Sequence, residues 1–223
     1  MDLGAQGVLR DGGDLDLGPE GDDWQRLEEG VRARLEQGER LLVLGGDHAI
    51  TYPVVQAHQR VHGEFTILHF DAHSDLYDEF DGNPHSHASP FARIMEQGLA
   101  TRLVQIGIRT LTDHLREQSA RFGVEVIEME QWDRIRGMDF EGALYVSVDL
   151  DVLDPAFAPG VSHWEPGGAS TRQVLEVLHT LGRDSVSLIG ADVVELNPVR
   201  DPSGMTAMVA ARIAREIAGV MLS

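Results

Sequence analysis

The sequence predicts an α/β chain built on a mainly parallel sheet with helices on both faces. Two observations carry that expectation. Short apolar runs of strand length, such as 41–44 (LLVL), 66–70 (TILHF) and 144–148 (LYVSV), alternate with longer segments whose apolar residues recur at helical spacing. Four of the runs also end abruptly in Asp, His or Glu, as in parallel sheets that gather function at the carboxyl ends of their strands.

Taken in order, residues 1–23 are rich in Gly and Asp and read as loop with one short edge strand. Asp23 is placed to cap a helix carrying Trp24, Leu27, Val31 and Leu35. Leu41 to Leu44 reads as a short buried strand ending at Gly45-Gly46-Asp47-His48. A helix from Ala49 to about Val61 tolerates Pro53 in its first turn. A strand at 65–70 leads into Asp71, and a helix at 90–97 stops at Gly98. Strand 103–108, helix 112–122, strand 124–127 and a short helix near 130–135 follow. Strand 143–148 ends in Asp149-Leu150-Asp151, and 154–168 is a Pro- and Gly-rich loop. A helix at 171–181, a strand at 186–194 ending at Glu195, and an amphipathic helix at 203–222 complete the chain.

Composition narrows the chemistry. A chain of 223 residues with 42% apolar content is read as one folded domain, 1–223, without repeats or linkers. No apolar stretch is long enough to span a membrane, and the opening segment lacks a signal-peptide core, so a cytoplasmic protein is expected. Cysteine is absent, which removes disulfides, thiolate metal sites and Cys nucleophiles. Lysine is absent too, which removes Schiff-base and P-loop lysines, and no G-x-S-x-G motif occurs. A net charge of −19 repels nucleic acid and attracts a small cationic substrate, although most of these charges serve solubility.

The informative stretch is 66–78, TILHFDAHSDLYD. Side chains i, i+2 and i+4 of a strand share a face, so this strand end is expected to aim Asp71, His73 and Asp75 at one spot. From Val61 to Ala92 there is no Lys or Arg to balance these carboxylates. Unpaired buried carboxylates are costly, and a metal ion is the partner that also uses the interposed His. With His48, Asp149 and Asp151 the strand ends supply two His and four Asp. That set suffices for two divalent ions, for which Mn²⁺ suits oxygen and imidazole donors best. Such a pair, roughly 3.5–4 Å apart, lowers the pKa of a shared water from about 15.7 toward 7 and so makes a nucleophile at neutral pH.

Gly45-Gly46-Asp47-His48, Asp71-Ala72-His73-Ser74-Asp75 and Ser147-Val148-Asp149-Leu150-Asp151-Val152-Leu153-Asp154-Pro155, followed by Ala158-Pro159-Gly160, resemble the three signature motifs of the ureohydrolase (arginase and agmatinase) family. The resemblance runs from about Asp11 to the C-terminus. It implies the three-layer α/β/α ureohydrolase fold and a binuclear centre of two Mn²⁺ per subunit, held by His48, Asp71, His73, Asp75, Asp149 and Asp151. By the same resemblance His87 carries a proton to the leaving amine, Glu195 orients the guanidinium, and His163 is a candidate for lining the pocket. A trimer or hexamer is the implied assembly.

Two departures shape the substrate expectation. Arginases usually carry Asn where this chain has Tyr77, and no Ser/Asn-rich carboxylate loop is recognisable in 79–86. Agmatine lacks that carboxylate, so hydrolysis of agmatine to putrescine and urea is expected first, ahead of arginine, guanidinobutyrate or aminopropylagmatine. The chain also begins close to the family's second strand, which leaves the first strand unaccounted for. The competing readings are a deacetylase-like amide hydrolase and a truncated, inactive assembly subunit. The full ligand set and Glu195 oppose the first. The ligand set opposes the second, which the short N-terminus favours.

Overall fold

In the computed structural model, which describes residues 9–18, 23–183 and 186–223, six strands and six α-helices alternate except between β4 and β5, which a 3₁₀ segment separates. They are α1 (Asp23–Leu35), β1 (Leu41–Leu44), α2 (Thr51–His62), β2 (Thr66–Phe70), α3 (Pro90–Glu96) and β3 (Arg102–Ile108). There follow α4 (Asp113–Phe122), β4 (Glu125–Glu128), β5 (Ala143–Asp149), α5 (Thr171–Arg183), β6 (Ser187–Val194) and α6 (Met205–Met221). The strands form one sheet in the order β1-β6-β5-β2-β3-β4, and every pairing is parallel.

The sheet is covered on both sides, as an all-parallel sheet requires. Leu27 and Val31 of α1, Val54 of α2, Phe91 of α3 and Leu115 of α4 pack with Phe65, Ile67, Leu103 and Tyr145 on one face. Val174 and Leu178 of α5, with Ile213 and Ile217 of α6, pack with Leu68, Val104, Val146 and Leu188 on the other. Adjacent β2 residues Ile67 and Leu68 thus serve opposite layers, which is the strand period of two. Among the described residues no helix is long and apolar enough to cross a membrane.

Local chemistry explains the boundaries. Thr112 caps α4 by accepting the Leu115 N–H, and Gly123 ends it with φ 66°. The Asp201 carboxylate accepts the N–H groups of Thr206 and Ala207 at 3.1 and 2.9 Å, so α6 starts two residues later than the apolar spacing suggests. Gly107 sits at a register shift between β3 and β4 with φ 96°. A Cβ there would lie 2.6 Å from Val152 Cγ2 and 3.0 Å from the Asp71 carbonyl, so a side chain would push β3 off the Asp71 turn.

Several expectations are corrected. β1 is not a buried strand: among the described residues it hydrogen-bonds only to β6 and lies at the sheet edge, and Leu44 is 67% exposed. Residues 9–18 contain no strand, and 1–8 and 19–22, where the rest of the expected edge strand falls, lie outside the described residues. Asp23 stands inside the first turn of α1. The 129–137 segment is 3₁₀ rather than α-helical, with Gln131 at non-helical angles.

Candidate metal centre

β1, β6, β5 and β2 are consecutive neighbours in the sheet, and they are the four strands that end in the acids and histidines singled out above. Their convergence does not come from strand alternation. β2 stops at Phe70, and the chain turns: the His73 N–H donates to Asp71 Oδ1 at 2.7 Å, and Asp75 takes φ 50°. Asp75 and Glu195, at φ 67°, are two of the three non-glycine residues with positive φ among the described residues. Such backbone persists only where the surroundings over-determine it, and it clusters at functional sites.

His48 Nδ1 faces three carboxylate oxygens, Asp75 Oδ2 at 3.0 Å, Asp71 Oδ2 at 3.1 Å and Asp149 Oδ2 at 3.2 Å. The opposite ring nitrogen, Nε2, lies 3.0 Å from Ser147 Oγ. Ser147 spends its single proton on Asp192 Oδ1 at 2.7 Å, so it accepts from His48 Nε2–H, and in the neutral ring the lone pair lies on Nδ1. That nitrogen is buried and without a hydrogen-bond partner. A lone pair aimed at three anionic oxygens is repulsive, so that position takes a proton in the metal-free fold or a metal cation in its place.

A second group adjoins the first. His73 Nδ1 lies 3.0 Å from Asp151 Oδ2 and 3.4 Å from Asp71 Oδ1, so Asp71 offers one oxygen to each group. His73 Nε2 lies 3.5 Å from Glu165 Oε1. Arg109 fixes Glu165 beside the site by donating to its carbonyl from Nε at 3.0 Å and Nη2 at 2.6 Å, while Nη2 also reaches the Asp151 carbonyl at 2.7 Å.

The electrostatics show carboxylates that draw positive charge toward them: burial disfavours charge on His48, yet Asp149, Asp71 and Asp75 hold its pKa well above the usual imidazole range. Burial, then repulsion from Asp71, pushes Asp75 up to about 6 and Asp151 up to about 7. Burial, then Asp151 and Asp71, raises Asp149 well above the carboxylate range. Asp71 keeps its charge: burial opposes it, but His69, His48 and His73 outweigh burial and hold it well below the usual value. Burial likewise disfavours charge on His73, yet hydrogen bonds to Asp151 and Asp71 push it up to about 12. Four clustered carboxylates and two imidazoles, with no arginine among them, are donors that would suit divalent cations.

At the mouth, His87 stacks on His163 with ring centres 5.3 Å apart, and His163 meets His73 edge-on at 6.1 Å. The half-buried His87 and the exposed His163 therefore stand on one side of the cluster. Glu195 borders the other: its Oε1 accepts the His48 N–H at 2.9 Å. All nine residues singled out in the sequence meet at this end of the sheet. Sequence reasoning missed the groups behind them, which are His69, Gln105, Ser147, Asp192, Arg109 and Glu165. For the first four the signal was register, since His69 pairs with Gln105 and Ser147 with Asp192 on adjacent strands; Arg109 and Glu165 lie outside the strands.

The arginase-family profile matches residues 4–219 of the chain. The chain belongs to the arginase family. It is 51% identical to arginase 1, mitochondrial, of Arabidopsis thaliana, over 95% of this chain and 66% of that protein. It is 40% identical to the N(1)-aminopropylagmatine ureohydrolase of Thermus thermophilus, over 77% of this chain and 60% of that protein. The fold matches the arginase from Medicago truncatula with TM-score 0.85 and 47% identity, covering 92% of this chain and 66% of that one. It also matches the proclavaminate amidino hydrolase from Streptomyces clavuligerus with TM-score 0.84 and 33% identity, covering 94% and 74%. This arginase-family chain spans just under two thirds of the length of the plant arginase.

Proposed function

We propose that the chain hydrolyses a guanidino compound to urea and an amine, with two Mn²⁺ held by His48, Asp71, His73, Asp75, Asp149 and Asp151. The observation that carries this reading is the buried His48 Nδ1, without a hydrogen-bond partner, facing three carboxylate oxygens within 3.2 Å. When bound, the cation pair supplies a water activated at neutral pH and charge stabilisation during attack.

The remaining work falls to the chain's own residues. A guanidinium is a poor electrophile because its charge is delocalised, so it must be held in a fixed plane beside the nucleophile. Glu195 does this with its carboxylate, whose position is set by the His48 N–H and by its own N–H donating to the Gly46 carbonyl at 3.1 Å. Water oxygen adds to the guanidinium carbon, the carbon–nitrogen bond to the tail breaks, and the departing nitrogen needs a proton. His87 supplies it, a role suited to imidazole, with His163 stacked against it to hold the ring.

Arginine is the favoured substrate, on the arginase names of relatives about half identical to this chain and on a cation at the rim. Arg200 stacks over Trp164 at 4.6 Å and donates to the Ser162 carbonyl at 3.0 Å, one residue before His163, which makes it the candidate cation for an α-carboxylate. Agmatine is the second reading, favoured by Tyr77, which stacks on His114 and offers no amide to a carboxylate. Urea release after Mn²⁺ loading, compared on arginine, agmatine, guanidinobutyrate and aminopropylagmatine with Asp149→Asn as control, decides between them. Release from none, in folded and metal-loaded protein, refutes the proposal.

A homo-oligomer, trimer or hexamer, belongs to the same proposal. The exposed apolar residues Val199, Met205 and Met208, 91%, 51% and 72% accessible, support it, and light scattering tests it. We place the chain in the cytoplasm, which cell fractionation tests; several plant relatives are named as mitochondrial.

A further inference from the structure

We propose that His69, locked by Gln105, is a positioning residue that holds Asp71 in the orientation both cation sites share; the inference rests on the cation-pair reading above. His69 precedes Asp71 by two residues in β2, is fully buried, and stacks on Phe91 of α3 with ring centres 4.0 Å apart. Both of its ring nitrogens are engaged. Nε2 lies 2.8 Å from Asp71 Oδ2, and Nδ1 lies 3.0 Å from Nε2 of Gln105, its partner across the β2–β3 pairing.

The proton's place follows from a third contact. Gln105 Nε2 also donates to the Ser74 carbonyl at 2.6 Å, and a carbonyl only accepts, so the amide cannot be turned the other way. Its remaining N–H therefore donates to His69 Nδ1. The ring proton is left on Nε2, where it is donated to Asp71 Oδ2. His69 Nε2 thus has no lone pair for a cation, although His48, His69 and Asp71 form a group close enough to hold one.

The consequence is geometric. Each carboxylate oxygen has two lone-pair directions. Asp71 Oδ2 gives one to His69 and keeps one toward His48 Nδ1. Oδ1 accepts the His73 N–H at 2.7 Å and keeps one toward His73 Nδ1. Two fixed donors, one per oxygen, set the plane of the carboxylate so that each free direction serves one cation. Hydrogen-bonding partners behind a ligand typically matter 10–100-fold in metal affinity.

His69→Leu removes the donor, His69→Gln restores an N–H where Nε2 stood, and Gln105→Met leaves the ring but frees its tautomer. Mn²⁺ titration is followed by the resonance of free Mn²⁺ and by the exchange-coupled signal of the bound pair, with circular dichroism in chelator as the folding control. His69→Leu should weaken Mn²⁺ binding about 10–100-fold and lose the coupled signal. His69→Gln should recover most of both, and Gln105→Met should fall in between. If His69→Leu does not fold, Gln105→Met carries the test. Unchanged affinity and coupling in His69→Leu or, failing that, Gln105→Met overturn the proposal. So does a loss in His69→Gln as large as in His69→Leu, since the imidazole itself would then be required. Wild-type protein that takes up no Mn²⁺ removes the cation-pair reading and this one together, whereas normal wild-type uptake with unaffected variants removes this one alone.

Discussion

Replacing Asp192 by Asn should disarm His48 without touching any candidate ligand. The fully buried Asp192 accepts three hydroxyls: Ser147 at 2.7 Å on Oδ1, and Tyr145 at 2.7 Å and Thr51 at 2.9 Å on Oδ2. An amide has one oxygen and must offer N–H to one side. If N–H faces Tyr145 and Thr51, two buried hydroxyls lose their acceptor, at about 1–3 kcal/mol each. If it faces Ser147, that hydroxyl turns to accept and sends its own proton toward His48 Nε2. His48 must then carry its proton on Nδ1, where the three carboxylates converge. The second arrangement leaves fewer donors stranded, so the variant adopts it, and Mn²⁺ affinity falls about 10–100-fold, or roughly 1.4–2.8 kcal/mol. Thr51→Val is the control. It removes one hydrogen bond, worth about 1 kcal/mol of stability, and leaves the Ser147–His48 link intact. Calorimetric titration of chelator-stripped protein with Mn²⁺ measures both variants. Equal affinities for wild type, Asp192→Asn and Thr51→Val would refute the tautomer argument, as would equal losses in the two variants.

The raised carboxyls give a pH signature. Asp75 and Asp151 titrate near 6 and 7 in the metal-free fold but near 4 when unfolded, so the folded state binds the extra protons between those values. Their contribution to stability is present below about pH 4 and is lost as pH rises through 6 and 7. The melting temperature in chelator should fall across that window, while the increase caused by Mn²⁺ grows, because ligands shed protons to bind metal. A Mn²⁺ increment that shrinks with rising pH contradicts the assignment. His87→Ala should lower urea release by about 10²–10⁴-fold with Mn²⁺ affinity unchanged; weakened metal binding would place His87 among the ligands instead. Glu195→Gln keeps the acceptor for the His48 N–H and loses only charge, so its KM for the guanidine should rise while Mn²⁺ titrates as in wild type. Altered metal uptake would count against that division of labour.

Much of this was legible in the sequence, for reasons visible in particular residues. The alternation of strands and helices is local, and each boundary follows from apolar spacing and from caps such as Thr112 and Gly123. The chemistry sat at strand ends, where Asp71, Asp149 and Glu195 interrupt apolar runs. Two kinds of information were not local. Sheet order decides which strand lies at the edge, so LLVL looked buried although β1 has one neighbour among the described residues. Register decides what stands beside a ligand, so His69 and Gln105 read as ordinary strand residues until β2 and β3 were paired. Asp71, His73 and Asp75 lie close together, but a turn with a left-handed Asp75, and not the extended strand expected, brings them there.

Anomalous diffraction from Mn²⁺-loaded crystals, collected above the manganese absorption edge, tests the paired-cation site most directly. Two peaks are expected, one against His48 Nδ1 and one against His73 Nδ1, with the Asp71 carboxylate touching both. A single peak, no peak, or density held by His69 Nε2 would contradict the account.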